Sequence, residues 1–228
     1  MVSGFLRGIS KRMSRKGLYP FLREALHGLP ERSHLLNIGA GGEIAAIVRD
    51  VAATRAFTVT SSDIDGARAP DLIDDIANSS LPDASFDAIV IMEVLEHVRE
   101  PAAAAREMAR ILRPGGQLIL STPFIFPLHD RPYDFFRYTR YGLEYLFRDF
   151  TNVRIRERNS WAEAIVVLLA RLASLPGRTG TVAAILAIPL CVLCYPFALV
   201  AARLIRTDFL TTGYVLTATW PAGGSPAP

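Results

Sequence analysis

The stretch Leu35-Leu36-Asn37-Ile38-Gly39-Ala40-Gly41-Gly42-Glu43 decides how the rest of the chain is read. Four mostly apolar residues run into a glycine-rich turn, as a short buried strand does. Ile44, Ile47, Val48 and Val51 then recur at helical spacing, which predicts a helix over Glu43–Ala53. Strand, glycine turn and helix form the first half of a nucleotide-binding βαβ unit. Glycines let the backbone approach a ligand, and the amides at the helix start point into the same space. The turn is Gly-x-Gly-Gly and not the full G-x-G-x-x-G, which disfavours a dinucleotide site and with it a nicotinamide oxidoreductase. A plain strand-to-helix turn is the alternative, so the sequence on either side has to decide.

Downstream, Phe57–Ser61 reads as a second strand running into Ser62-Asp63-Ile64-Asp65. An acidic residue about 20 positions after the glycine turn lies where a ribose diol would sit in such a fold. Asp63 follows Gly41 by 22 positions. Asp71–Asp75 holds a short third strand, so close to the second that the usual crossover helix is shortened or missing. Phe86–Met92 is a continuous apolar run, as expected of a strand buried on both faces. Pro101–Leu112 is a helix with Pro at its start and arginines at its end. Pro114-Gly115-Gly116 is a turn, and Gln117–Ser121 a fifth strand. A helix over Arg140–Phe147, a strand over Asn152–Glu157 and a strand over Gly213–Trp220 complete the pattern. Strands alternating with helices predict an α/β fold with a mostly parallel sheet.

The composition carries a second message. Of 228 residues, 50% are hydrophobic and the mean hydropathy is +0.26, high for a soluble enzyme. The excess is concentrated in Trp161–Ile205. Trp161–Leu175 is followed by a Pro-Gly turn and then by 24 uncharged residues from Thr179 to Ala202. A bilayer span needs about 20. If the flanking strands share one sheet, both ends of this insert lie on one side of a membrane, and a single crossing is excluded. The first segment, broken by Arg171, is too short for a second span, and Pro189 and Pro196 bend the longer one. An in-plane or re-entrant hairpin dipping into one leaflet is the expectation, and one span with a short exported tail the rival. Cys191 and Cys194, within this stretch, have no second pair or histidine cluster to make a metal site, so no metal is expected. They read as small buried hydrophobes in a reducing compartment.

The net charge of +3 hides an asymmetry, for residues 1–34 carry seven Lys/Arg against two Glu. In residues 1–17, Phe5, Leu6, Ile9 and Met13 alternate with basic residues at roughly helical spacing. No long apolar core follows, so this is not read as a secretory signal. A basic amphipathic helix suits an anionic membrane surface, and a disordered basic arm is the alternative. A nucleic-acid partner is not expected, because no aromatic or basic platform follows. Tyr19–Leu29 reads as a short helix. The expected organisation is therefore a basic arm (1–34), a core (35–160), an apolar membrane-associating insert (161–206), the last core strand (207–221) and a disordered tail (222–228).

The motifs together resemble one family, the class I S-adenosylmethionine-dependent methyltransferases of the small Rossmann-like, type 11-like kind. The matching pieces are Leu36-Asn37-Ile38-Gly39-Ala40-Gly41, Ser62-Asp63-Ile64, Asp75-Ile76 with Leu81-Pro82 and Ser85-Phe86-Asp87, Glu93-Val94-Leu95-Glu96-His97-Val98, and Leu112-Arg113-Pro114-Gly115-Gly116. They cover residues 35 to 122. The resemblance implies a Rossmann-like, mostly parallel seven-stranded sheet with an antiparallel last strand, here with an apolar helical hairpin inserted between the last two strands. It implies S-adenosylmethionine as cofactor. Gly39, Ala40 and Gly41, with Asn37, would line its methionine part. Asp63 would accept from both ribose hydroxyls, Ile64 would pack on the adenine, Asp75 and the Ile76 amide would face the base edge, and Met92 and Glu93 would lie beside the sulfonium. Asn37 stands where the family usually has an acidic residue, and Glu43 where it usually has a third glycine. Either Glu43 supplies the missing charge or cofactor binding is weaker. His97 is read as a structural residue at the start of the helix after strand four.

The acceptor side falls to residues 123–141, Pro-Phe-Ile-Phe-Pro-Leu-His-Asp-Arg-Pro-Tyr-Asp-Phe-Phe-Arg-Tyr-Thr-Arg-Tyr. A loop after a strand of a parallel sheet lies on the edge where ligands bind. Methyl transfer to a hydroxyl requires alignment, exclusion of water and removal of a proton. His129 is the candidate base, with Asp130 or Asp134 orienting it, and Arg131 and Arg137 could grip a phosphate or carboxylate. Alternatively, Asp134 and Arg137 pair to close the loop and Thr139 caps the next helix. The expectation is methyl transfer at the cytoplasmic face of a membrane, to a small-molecule or lipid-linked acceptor such as a polyprenyl-linked sugar or an isoprenoid quinone. The rival is a non-catalytic membrane-docked module that keeps the cofactor fold.

Overall fold

The computed structural model describes Gly8, residues 11–39 and residues 41–223. Most of the expected amphipathic arm, Ala40 of the glycine turn and the tail from residue 224 lie outside the described residues. The elements are α1 (Leu18–His27), β1 (His34–Ile38), α2 (Gly42–Arg55), β2 (Thr58–Asp63), β3 (Leu72–Ile73), β4 (Phe86–Met92), α3 (Pro101–Ile111), β5 (Leu112–Pro123), α4 (Arg140–Leu146), β6 (Thr151–Glu157), α5 (Trp161–Arg171), α6 (Gly177–Leu204) and β7 (Gly213–Thr219).

The seven strands form one sheet in the order β3-β2-β1-β4-β5-β7-β6. The pairs β1–β2, β1–β4, β2–β3 and β4–β5 are parallel. β7 runs the other way. The start of β5 meets its end, with the Gly115 amide on the Trp220 carbonyl, and the end of β5 meets its start, with the Phe124 amide on the Thr212 carbonyl. This is the Rossmann-like sheet with an antiparallel last strand that the motifs imply. β1 and β4 are buried along almost their whole length, which is why they read as mostly apolar runs. Between β2 and β3 only a 3-10 turn at Gly66–Arg68 is present, in place of a crossover helix. β5 starts earlier than Gln117, because Leu112 already pairs with Phe86 across a register shift before the strand becomes regular. The Pro-Gly-Gly turn is thus an irregular strand start pinned by Trp220.

The chain divides into two compact units. The sheet unit comprises residues 19–122, 130–156 and 215–228, and the hairpin unit comprises residues 1–18, 123–129 and 157–214. The boundaries differ from those expected from the sequence. α1 is not part of a basic arm, since Phe21, Leu22 and Leu26 are buried within the sheet unit. Residues 123–129, expected to belong to the core, group with the apolar helices.

In the hairpin unit α5 packs on α6. Ala162, Val166, Ala170 and Ala173 meet Ala184, Ile188, Cys191 and Ala198, with Met13 against the same cluster. Small residues allow close approach: a Cβ on Gly180 would lie 1.7 Å from the Leu175 carbonyl oxygen. Ser160 caps α5 through a capping box with Glu163. Glu163 also accepts from the Lys16 ammonium at 2.9 Å and from the Tyr195 hydroxyl at 2.9 Å, tying the N-terminal segment to both helices. The other face of α6 is bare, with Leu186, Leu193, Phe197 and Val200 all exposed. Its most apolar window has a mean hydropathy of 2.4 and is only 22% buried, and the helix is long and apolar enough to cross a membrane. Of the two cysteines Cys191 is buried and Cys194 is exposed.

Candidate functional site

The carboxyl ends of β1, β2 and β4 carry Gly39, Asp63, Met92 and Glu93, four of the residues expected at the cofactor, within the sheet unit. At the end of β1 the chain turns at Gly39, whose φ of +88 is open to glycine at little cost. A Cβ there would also strike Val94 Cγ2 at 2.5 Å, while one on Gly41 would meet nothing within 4 Å. The turn therefore leaves open space in front of the first amides of α2, where anionic groups are favoured. Asn37 is 2% exposed, and its Oδ1 has no hydrogen-bond partner among the described residues. An acceptor left bare in the interior is costly unless a ligand meets it. Glu43 is engaged by the Tyr19 hydroxyl of α1.

Asp63 closes β2 and is nearly buried. Its Oδ1 accepts from the Asp65 amide at 2.9 Å, which fixes the carboxylate plane. Its Oδ2 faces Arg68 Nε at 3.6 Å, on a side chain that is half exposed. Asp65 and Asp75 each cap a 3-10 turn through the amide two residues on. Ile64 is 70% exposed and Ile73 71% exposed. Two large aliphatic side chains bare to solvent beside a carboxylate form an apolar platform for a flat ring. Asp74, in contrast, is turned into the loop, where it accepts from Ser79 and Ser80. This leaves Asp75, together with the buried Ile76, at the rim.

At the end of β4, Met92 is buried and Glu93 adopts a φ of +57. Left-handed backbone at a non-glycine residue costs on the order of 1–3 kcal/mol and clusters at functional sites. It is held here by the Glu93 amide on the Ser121 carbonyl at 3.0 Å and by the Ser121 hydroxyl donating to Glu93 Oε1 at 2.9 Å. Glu96 is fully buried, with Thr122 Oγ1 donating to it at 3.4 Å. Its backbone carbonyl accepts from the amides of Phe135 and Phe136. The acidic pair acts on Arg137: its bidentate bond to Asp134, at 2.5 and 2.7 Å, holds the guanidinium protonated more firmly than usual, and Glu96 and Glu93 add to this. Asp134 and Arg137 thus close the loop on themselves, and Thr139 caps α4.

His97, read from the sequence as structural, is held by the loop that follows β5. Its Nδ1 lies 2.8 Å from the Tyr133 carbonyl. A carbonyl can only accept, so Nδ1 carries the proton and the other nitrogen presents its lone pair in the neutral ring. That Nε2 lies 3.7 Å from Glu96 Oε1 and 3.8 Å from Asp130 Oδ2. Asp130 is therefore beside His97. His129 belongs to the hairpin unit, where its ring packs edge-on against Phe126 with 5.6 Å between centroids. The signal for His97 lay in the Glu-His pair itself. Its partners, Tyr133 and Asp130, come from a loop more than thirty residues away that no local pattern connects to it.

Comparison with known proteins agrees with the fold. The family model described as "Methyltransferase domain" matches residues 10–162. Curated relatives include a ubiquinone biosynthesis O-methyltransferase of Alkalilimnicola ehrlichii, 31% identical over 116 residues, or 45% of this chain and 46% of that protein. Another, from Xanthomonas oryzae pv. oryzae, is 60% identical over 38 residues, 17% of this chain and 16% of that protein. The chain thus spans less than half the length of these curated relatives. Among solved structures, a SAM-dependent methyltransferase from Archaeoglobus fulgidus aligns over 90% of this chain and 94% of its own, with a TM-score of 0.60 at 16% identity. The Haemonchus contortus phosphoethanolamine N-methyltransferase 2, solved with S-adenosyl-L-methionine, aligns over 89% and 52% with a TM-score of 0.60 at 12% identity. This chain belongs to the methyltransferase-domain family, within the class I S-adenosylmethionine-dependent methyltransferases. The residues present fit that cofactor. The bare Asn37 acceptor suits an ammonium, the Asp63 carboxylate suits a diol, and the exposed Ile64 and Ile73 suit a purine.

Proposed function

We propose that the protein methylates a hydroxyl of an acceptor resident in, or linked to, a lipid bilayer, and that it works at the cytoplasmic face of that membrane. Bound S-adenosylmethionine supplies an electrophilic methyl group. Asn37, Gly39, Ala40 and Gly41 hold its methionine end, Asp63 and Ile64 its ribose and adenine, Asp75 and Ile76 the base edge, and Met92 and Glu93 flank the reacting centre. His97 is the preferred base. The observation that carries this is the 2.8 Å approach of Nδ1 to the Tyr133 carbonyl, which turns Nε2 towards Asp130. A neutral imidazole so oriented takes the acceptor's proton at Nε2, and Asp130 and Glu96 stabilise the imidazolium that results. His129 with Asp130 is the competing assignment from sequence. The name of the curated relatives, an O-methyltransferase of ubiquinone biosynthesis, supports a hydroxyl acceptor. The bare apolar face of α6 supports a bilayer. β6 and β7 are neighbours in one sheet, so both ends of the α5–α6 insert return to the same side. That topology supports a hairpin lying in one leaflet over a single crossing.

The test compares His97→Ala with His129→Ala. With His97 as base, its loss lowers turnover about 10²–10⁴-fold, while the affinity for S-adenosylhomocysteine stays within a factor of about three. Normal turnover in His97→Ala together with a collapse in His129→Ala would move the base to His129. Failure of the wild-type protein to bind S-adenosylhomocysteine in a titration would favour a non-catalytic docking module.

A further inference from the structure

The turn that carries His97 is moulded by one short segment of the same unit. A 3-10 turn, Leu95–His97, follows β4, and residues 133–138 meet each of its residues. The Tyr138 hydroxyl donates to the Leu95 carbonyl at 3.2 Å. The amides of Phe135 and Phe136 donate to the Glu96 carbonyl at 3.0 and 3.2 Å. The Tyr133 carbonyl faces His97 Nδ1 at 2.8 Å. Of these contacts only the last reaches the imidazole. Its carbonyl belongs to the peptide unit that joins Tyr133 to Asp134. On one side of that unit the Tyr133 amide donates to the Asp130 carbonyl at 3.0 Å. On the other, the Asp134 carboxylate accepts from both terminal nitrogens of Arg137, at 2.5 and 2.7 Å, and Arg137 Nη1 also donates to the Phe136 carbonyl at 2.8 Å. The Asp134 side chain is only 3% exposed and that of Arg137 22%. A bidentate pair shielded from water has a fixed geometry. It therefore sets the direction of the Tyr133 carbonyl, and the carbonyl sets the ring. A carbonyl only accepts, so the proton goes to Nδ1 and the lone pair to Nε2.

We propose that Asp134 is a positioning residue: paired with Arg137, it aims the Tyr133 carbonyl at His97 and so selects the tautomer whose Nε2 takes the acceptor's proton. Asp134 acts through the carbonyl and touches no reacting atom. The proposal rests on the reading of His97 as the base. The carbonyl also favours the imidazolium over the neutral ring, because a hydrogen bond from a charged donor is the stronger one. A ring that loses it gives up its proton more readily.

The test uses nuclear magnetic resonance on the full chain in detergent micelles, with isotope-labelled histidine. Ring-nitrogen shifts report the tautomer, and His97→Ala assigns the signal among the four histidines. Wild-type His97 should carry its proton on Nδ1. Asp134→Asn and Arg137→Gln open the pair from either side, and each should give a mixture of tautomers. Arg23→Gln, which breaks the exposed Arg23–Asp50 pair between α1 and α2, should leave the signal as it is. Transfer of labelled methyl from S-adenosylmethionine to a lipid extract of cells lacking the protein should fall about tenfold in both pair variants, as fewer rings present Nε2. Its acid limb should move to lower pH by up to about one unit, while the affinity for S-adenosylhomocysteine holds. A thermal melt checks the fold, and should one variant unfold, the other carries the comparison. Wild-type His97 protonated on Nε2 would overturn the proposal, as would the wild-type signal in both variants. Lost transfer with an unmixed tautomer would overturn the positioning role alone. Mixed tautomers with undiminished transfer would overturn His97 as the base, and the proposal with it.

Discussion

Replacing Asp63 by Asn is the most direct probe of the cofactor site. The carboxylate has two oxygens and two tasks. Oδ1 takes the Asp65 amide at 2.9 Å and holds the turn, while Oδ2 faces only the half-exposed Arg68 at 3.6 Å. Asn keeps an acceptor for the turn, so the fold survives; Ala would also remove the turn contact, at about 1 kcal/mol. Asn does replace a charged acceptor by an amide that presents a donor to the ribose hydroxyls. Hydrogen bonds to a charged group contribute about 1.5–3 kcal/mol, so the affinity for S-adenosylhomocysteine should fall about 10- to 150-fold. The Arg68 contact should not matter to binding, because its exposed guanidinium is free to swing away. Arg68→Ala should leave the affinity unchanged or slightly tighter. Isothermal titration at fixed ionic strength reads both variants, and a thermal melt without ligand checks the fold. An Asp63→Asn protein that binds as the wild type does would remove the ribose from this carboxylate and refute the placement of the site.

Gly39→Ala should cost both stability and cofactor affinity, the latter by more than about tenfold, because alanine meets a strained φ and Val94 together; an unaltered melt and titration would contradict it. Gly180→Ala should loosen the α5–α6 hairpin by about 1–3 kcal/mol through overpacking, read as faster proteolysis after α5, with S-adenosylhomocysteine binding unchanged. For Glu163, burial pushes the carboxyl up, but Lys16, Ser160 and Tyr195 together pull it below its ordinary value of 4.5. A lowered folded-state value contributes stability that is present above the unfolded value and lost as pH falls through the folded one. Glu163→Gln should therefore lower the melting temperature at neutral pH and flatten its acid limb below about pH 4.5, and an acid limb as steep as in the wild type would refute the linkage.

Much of the sheet unit was legible because its signals are local. A strand is apolar where both its faces are buried, and Ala88–Met92 is. A turn that leaves room for a ligand needs glycines where φ is positive, and Gly39 and Gly41 stand there. Asp63 could be placed by its distance along the chain from that turn, since strand and helix lengths vary little. The long apolar helix between β6 and β7 was also legible, from 24 uncharged residues in a row. What the sequence left open depends on contacts between distant segments. Nothing near His97 announces that the Tyr133 carbonyl fixes its tautomer, nor that Asp130 lies beside it. Local pattern is set by backbone geometry, which repeats every two or 3.6 residues. The electrostatics of a site is set by through-space distance, and only the tertiary structure decides that.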